Sequence, residues 1–137
     1  MASANTMTVE LEWSGDLHFS GSVAGTPIAV DGDAQKAASP VQMLATGLAG
    51  CMAIDVVHIL GKMRTPAESL RIDVTIERAA SDPRRVIAAT MNFTVAGDVP
   101  GKNVQRALDM SEETYCSVWH SLRQDIELTT TFDIADA

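Results

Sequence analysis

The sequence has little cysteine, few aromatic residues and no cluster of positive charge. Its two cysteines are too few for a disulfide scaffold, and they form neither a CxxC pair nor a cluster with the three histidines. We therefore expect no metal site and no bound cofactor. The 10 basic residues are outnumbered by 18 acidic ones, and the net charge of -8 repels polyanions. Nucleic acid and anionic membranes are not expected partners.

The composition is that of an ordinary globular protein. The 137 residues are 46% hydrophobic and 20% charged, which suits one domain over residues 1–137. The N-terminus carries no basic region followed by an apolar run, so nothing marks the chain for export. We expect a cytoplasmic protein, in a reducing compartment where free thiols are stable.

A long apolar stretch, from Val41 to Leu60, occupies the middle of the chain. It has the length of a membrane span, but it contains Asp55, and a carboxylate in hydrocarbon costs several kcal/mol. The stretch is therefore interpreted as a buried core helix. Ser39 and Gln42 form a capping box at its start, and Pro66 stops it, so the predicted helix runs from Pro40 to Arg64 and is about 36 Å long.

On both sides of this helix, residues alternate between apolar and polar types. The alternation predicts three strands before the helix and a hairpin after it, followed by a second helix from Asn103 to Leu122 and a last strand from Leu128 to Ile134. The order βββ, α, ββ, α, β favours an α+β fold, with antiparallel sheets packed around the long central helix.

Cys51 lies in the middle of the central helix, on the same helical face as Asp55, His58 and Lys62. In one interpretation Cys51 packs as a small hydrophobe and the other three form a solvated edge. In the other, the polar groups tune a reactive thiol. Because the helix dipole fades within the first turn, activation of Cys51 would require a cation or several hydrogen-bond donors from elsewhere.

Several motifs resemble the OsmC/organic hydroperoxide resistance family. They are Ser-Pro at 39–40, Ala-Gly-Cys at 49–51, D-V-V-x-I-L from 55 to 60 and Y-C-S-V at 115–118, and the order of strands and helices agrees over nearly the whole chain. The D-V-V-x-I-L run is similar to that of one subgroup. The resemblance implies an intertwined homodimer in which both subunits bury the central helices.

The resemblance also implies a peroxidase cycle in oxidative-stress defence. Cys51 would attack a hydroperoxide and become a sulfenic acid, Cys116 would resolve it as a disulfide, and a cellular dithiol would reduce that disulfide. A sulfenic acid condenses readily with a neighbouring thiol, which protects it from further oxidation.

This sequence departs from the better-known peroxidases of that family at the groups that hold the thiolate. Those members use an arginine from the N-terminal strands and a glutamate at the start of the central helix. Here no arginine precedes Arg64, and Gln42 stands where the acid is expected. The cations that could substitute are His18, Lys36 and His58; they could equally be a solvent-facing strand residue, a loop charge and a partner of Asp55.

A second function class stays open because of the missing arginine. The same fold and cysteines could serve a dimeric binding protein for a small apolar or thiol-reactive molecule, with weak or no peroxidase activity. The retained pair of cysteines favours the enzyme, and the missing cation favours the binding protein.

Overall fold

A helix of 23 residues, α1 (Pro40–Lys62), is the longest element of the computed structural model, which describes residues 5–135. The chain divides into two compact units, Met1–Leu44 and Ala45–Ala137, and the boundary falls inside α1. The other elements are β1 (Val9–Trp13), β2 (His18–Val23), β3 (Thr26–Asp31), β4 (Ser69–Arg78), β5 (Val86–Ala96), α2 (Gly101–Met110), α3 (Ser117–His120) and β6 (Glu127–Ala135).

The first unit is a three-stranded antiparallel sheet, in the order β1-β2-β3, followed by the start of α1. Gly21 is required where β1 and β2 pair, because a Cβ there would come within 1.7 Å of the Glu10 carbonyl oxygen. After β3 the chain turns around Asp31, whose carboxylate accepts backbone N–H bonds from Asp33, Gln35 and Lys36. These bonds hold the loop that leads to α1.

The capping box predicted at the start of α1 is confirmed. Ser39 Oγ accepts the N–H of Gln42 at 3.2 Å, and Gln42 Oε1 accepts the N–H of Ser39 at 2.9 Å. The helix ends two residues before the predicted Arg64, which adopts a left-handed conformation with φ 63°. The Thr65 N–H donates to the Leu60 carbonyl and closes the helix end.

The second unit packs the rest of α1 and the later helices on a sheet in the order β4-β5-β6. The predicted hairpin of β4 and β5 is confirmed as antiparallel, whereas β6 runs parallel to β5. The sheet is therefore mixed and not wholly antiparallel as expected, because α2 and α3 carry the chain back across the sheet before β6 begins. The predicted α+β class is confirmed.

The core of the second unit lies where α1 meets β5 and α2. Its fully buried large side chains are apolar, namely Met52, Val56, Leu60, Met91, Phe93, Val95, Val104 and Leu108. By length and composition α1 could also cross a bilayer, a test that core helices of soluble proteins pass as well. Burial against this sheet accounts for one apolar side of α1, which carries Leu48, Met52, Val56 and Leu60.

The predicted second helix is not continuous. α2 ends at Met110, a π-helical turn follows over Ser111–Tyr115, and Cys116 has an extended backbone (φ -73°, ψ 98°) before the short α3 begins. The Cys116 N–H bonds to the Ser111 carbonyl at 2.8 Å, five residues back. The apolar spacing that predicted one helix from Asn103 to Leu122 thus missed a break at the second cysteine.

Candidate functional site

The two cysteines meet in the second unit. The Sγ atoms of Cys51 and Cys116 and a carboxylate oxygen of Asp55 all lie within 4.8 Å of one another. Both cysteines are free thiols. Cys51 is partly exposed, whereas Cys116 is fully buried.

The break between α2 and α3 positions Cys116. A π-helical turn inserts one residue relative to α-helical spacing, and such turns are frequent at functional sites. Here the turn lets the chain leave the helix at Cys116 and re-enter it at Ser117. Cys116 Sγ then accepts the N–H of Trp119 at 3.3 Å, so the thiol caps α3.

Hydrogen-bond donors from the start of α3 surround the Cys51 sulfur. Partial burial raises the pKa of Cys51, but the Val118 backbone N–H and the Cys116 and Ser117 side chains donate to the thiolate and bring the pKa below its usual value. The Ser117 Oγ lies 3.7 Å from Cys51 Sγ. The groups that lower the pKa of Cys51 are therefore neutral hydrogen-bond donors.

Cys116 has the opposite tendency. Burial is the main reason that the pKa of Cys116 is raised to about 11. The hydrogen bond from the Trp119 N–H acts in the other direction, and the hydrogen bond that the Cys116 thiol donates to Cys51 raises the pKa further. The pKa of Cys51 is thus shifted down and that of Cys116 is shifted up, so Cys51 is the more acidic of the two thiols. The thiol with the lower pKa and the greater exposure is the more reactive of the two.

Asp55 completes the cluster from α1. Its Oδ2 accepts a 2.8 Å hydrogen bond from Ser111 Oγ, and the Ser111 side chain is fully buried. The negative charge of Asp55 raises the pKa of both cysteines. No ion pair joins Asp55 to His58 within residues 5–135, so Ser111 replaces the partner suggested by helical spacing.

A cavity of about 370 Å³ adjoins this cluster and shares Asp55 with it. Ile59, Met63 and Met110 form its apolar wall. His58 and Lys62, both exposed on α1, lie at the same cavity with Tyr115. The face of α1 that carries Cys51 and Asp55 therefore continues into a space large enough for a small organic molecule.

The remaining residues predicted to support the site have other contacts. Gln42 is part of the α1 capping box. His18 hydrogen-bonds the Ser14 hydroxyl through Nδ1, and the Lys36 backbone N–H donates to Asp31 at 2.9 Å. All three lie in the first unit, and a role for them at Cys51 stays a prediction.

Sequence reasoning missed Ser111, Ser117 and Val118. Ser111 and Ser117 act through small hydroxyl side chains, and Val118 acts through its backbone N–H. Residue types as common as these do not indicate a functional site in a sequence. The Y-C-S-V motif contains Ser117 and Val118 next to Cys116. That motif was the signal in the sequence, but only the break before α3 turns its donors toward Cys51.

Comparison with known proteins gives a consistent result. Residues 32–131 match the family described as OsmC-like protein. Protein YhfA of Escherichia coli (strain K12) is 36% identical over 134 residues, which cover 96% of this chain and all of that protein.

Two solved structures show the same fold. A hypothetical protein from Aquifex aeolicus VF5 superposes with a TM-score of 0.89 at 24% identity, over 97% of this chain and 98% of the other. The organic hydroperoxide resistance protein OhrB of Bacillus subtilis gives a TM-score of 0.65 at 15% identity, over 96% of this chain and 100% of its own.

Proposed function

This chain belongs to the OsmC-like protein family, and from that premise we propose that it reduces organic hydroperoxides with Cys51 as nucleophile and Cys116 as resolving thiol. Membership in the family suggests a role in peroxide resistance. The observation that carries the proposal is the approach of the two sulfurs within 4.8 Å, with donors aimed at Cys51.

The first step takes place at Cys51. Its thiolate attacks one oxygen of the peroxide, an S–O bond forms as the O–O bond breaks, and the departing alkoxide takes a proton to leave as an alcohol. Cys51 is suited to this step because it is partly exposed and its thiolate accepts donors from Val118 and Ser117.

The second step takes place between the cysteines. Cys116 sulfur attacks the Cys51 sulfenic acid, an S–S bond forms, the S–O bond breaks, and hydroxide leaves with the thiol proton as water. A disulfide needs the sulfurs about 2.05 Å apart, so each has to move by at most about 1.4 Å from its position in the reduced form. An external dithiol then exchanges with the disulfide and restores both thiols.

The cavity beside Asp55 supports an organic rather than a purely polar substrate. Its wall of Ile59, Met63 and Met110 would bury an apolar body, while the peroxide group would reach toward Cys51. A cavity of this size accommodates a small ligand and not a polymer.

The assembly is proposed to be a homodimer in the cytoplasm. α1 exposes Ile54 at 70% and Val57 at 52% in the single chain, on the side away from its buried residues. Apolar side chains that project from a core helix are typical of an obligate interface, which buries about 2,000 Å² or more in total. A second α1 would cover this face.

The second candidate function is the dimeric binding protein. It is favoured by one observation: within residues 5–135 the groups that hydrogen-bond Cys51 are neutral, with no arginine or lysine among them. Such a protein would use the same cavity and would bind its ligand without turnover.

Peroxide consumption separates these functions. With an organic hydroperoxide and excess dithiol, the wild type should consume peroxide catalytically, and Cys51→Ser should lose this activity. Glu113→Gln changes an exposed residue of the π-helical turn and should retain it. Peroxide loss no faster than in Cys51→Ser would instead favour the binding protein.

A further inference from the structure

We infer that the reduced protein binds one thiophilic divalent cation of the zinc class between Cys51 Sγ, Cys116 Sγ and the Asp55 carboxylate. These three groups come from distant parts of the chain and converge at one point. The spacing of histidines and cysteines along the chain gave no sign of a metal site. These ligands come together only where α1 packs against the turn before α3.

The separation of the three ligand atoms suits such an ion. Zinc binds sulfur at about 2.3 Å and carboxylate oxygen at about 2.0–2.2 Å, so ligand atoms in a tetrahedral site lie about 3.5–3.8 Å apart. In the protein they lie within 4.8 Å of one another. Closing the remaining gap requires each pair of ligand atoms to approach by at most about 1.3 Å.

Two of the three ligands are already held in place by other groups. The buried Ser111 hydroxyl donates to Asp55 Oδ2, and the Trp119 N–H donates to Cys116 Sγ. Hydrogen bonds of this kind orient metal ligands and raise affinity. Both leave ligand lone pairs available, because a carboxylate and a thiolate each accept more than one partner.

The charge of the cluster also favours a cation. Binding would deprotonate both thiols, which together with Asp55 makes three negative groups, and the donors around them are neutral. A divalent ion would offset most of this charge. Thiolate ligands select zinc and cadmium over magnesium and calcium, which prefer oxygen.

The site is open to solvent on one side and has three protein ligands. Cys116 is buried, but Cys51 is partly exposed and opens the site to solvent. Three protein ligands leave a fourth position for water or another small ligand. A disulfide between the cysteines would remove two ligands at once, so oxidation would release the ion.

Metal titration tests this inference without any peroxide, so its result is separate from that of the proposed peroxidase activity. Chelator-treated, reduced protein is titrated with Cd²⁺, and thiolate-to-cadmium charge transfer is followed in the ultraviolet. Zn²⁺ affinity is measured by competition with a chromophoric chelator. We expect saturation at one ion per chain, with a band from two thiolates.

Matched variants identify the ligands. Cys51→Ser and Cys116→Ser should each halve the charge-transfer absorbance per bound Cd²⁺, because one thiolate is lost. Asp55→Asn should weaken Zn²⁺ binding but keep the full charge-transfer absorbance, because both thiolates remain. Ser111→Ala should weaken binding about 10- to 100-fold, the usual effect of losing a group that orients a ligand. Asp98→Asn, at an exposed site, should bind as the wild type does.

Wild-type protein oxidised to the disulfide provides a further test that does not depend on a folded Cys116 variant. The oxidised protein should bind neither Zn²⁺ nor Cd²⁺. The inference is overturned if the reduced protein, with both thiols titrating as free, gives no charge-transfer band. It is overturned equally if the oxidised protein, or Asp55→Asn together with Ser111→Ala, binds as tightly as the reduced wild type.

Discussion

The sulfurs of Cys51 and Cys116 lie within 4.8 Å of each other although 65 positions separate the two residues in the sequence. The Cys51 sulfur is partly exposed and accepts hydrogen bonds, whereas the Cys116 sulfur is buried, accepts the Trp119 N–H and donates its proton to Cys51. The pair is therefore unequal before any reaction begins. This inequality underlies the roles proposed for the two thiols.

The first prediction concerns alkylation. We expect iodoacetamide to modify Cys51 much faster than Cys116 in the reduced, metal-free protein, because Cys116 is fully buried and has the higher pKa. Peptide mapping by mass spectrometry would measure both rates. Equal modification of the two cysteines in the folded protein would refute the assignment, and unfolding in denaturant should remove the difference.

The second prediction concerns acid stability. Backbone N–H bonds from Lys36 and Asp33 lower the pKa of Asp31 below its usual value, against a smaller opposing effect of burial. A carboxyl with a depressed folded-state pKa stabilises the fold above its unfolded pKa of about 3.9, and that contribution is lost as the pH falls through the folded pKa. The free energy of unfolding should therefore decrease as the pH falls below about 4.

Asp31→Asn should remove this part of the pH dependence and lower the melting temperature at pH 7, since an amide oxygen accepts fewer of the three N–H bonds than a carboxylate does. Asp33→Asn is the matched control, because only the backbone of Asp33 takes part. Thermal melts from pH 3 to pH 7 would show the contrast. Parallel acid profiles for Asp31→Asn and the wild type would contradict this account of the loop.

The third prediction concerns the first sheet. Gly21→Ala should destabilise the pairing of β1 and β2, because its Cβ would lie 1.7 Å from the Glu10 carbonyl oxygen and the backbone would have to move. Ser20→Ala, at the neighbouring position of β2, adds no bulk and serves as control. Hydrogen exchange of the β1 and β2 amides would report the effect. Unchanged protection in Gly21→Ala would contradict the close approach of the Glu10 carbonyl oxygen to this position.

The fourth prediction concerns assembly. If the exposed apolar face of α1 is covered by a second copy, Ile54→Asp should convert the dimer to a monomer or weaken it strongly, because a carboxylate would be buried without a partner. Analytical ultracentrifugation at micromolar concentration measures this. Circular dichroism would check that the variant is folded. A wild-type chain that sediments as a folded monomer would exclude the proposed homodimer.

Much of the fold followed from residue pattern alone. The capping box of Ser39 and Gln42 fixed the start of α1, and strict alternation predicted β4 and β5 as a hairpin. The direction of β6 was not predictable, because alternation does not reveal which neighbour a strand will choose. The predicted end of α1 was two residues too late. The residue in left-handed conformation that follows a helix is usually glycine, and here it is Arg64, so the sequence did not indicate the end.

The candidate site was less predictable than the fold. Helical spacing placed Asp55 beside Cys51 and offered His58 as one possible partner for it, whereas the fold supplies Ser111 from a π-helical turn. That turn leaves no mark in the apolar spacing of α2 and α3. The backbone N–H of Val118, which donates to Cys51, was also not predictable, because every residue except proline has such a group.

The central claim is that Cys51 and Cys116 form a peroxide-driven thiol pair, and the mass of the protein after one equivalent of organic hydroperoxide tests it most directly. The reduced, chelator-treated wild type should lose two hydrogen atoms through an intramolecular disulfide between Cys51 and Cys116, identified by non-reducing peptide mapping. In Cys116→Ser, the same treatment should leave Cys51 as a sulfenic acid that a dimedone-type probe traps. If both cysteines of the wild type remain reduced in excess hydroperoxide, the thiol pair is not a peroxidase and the binding-protein function is the better account.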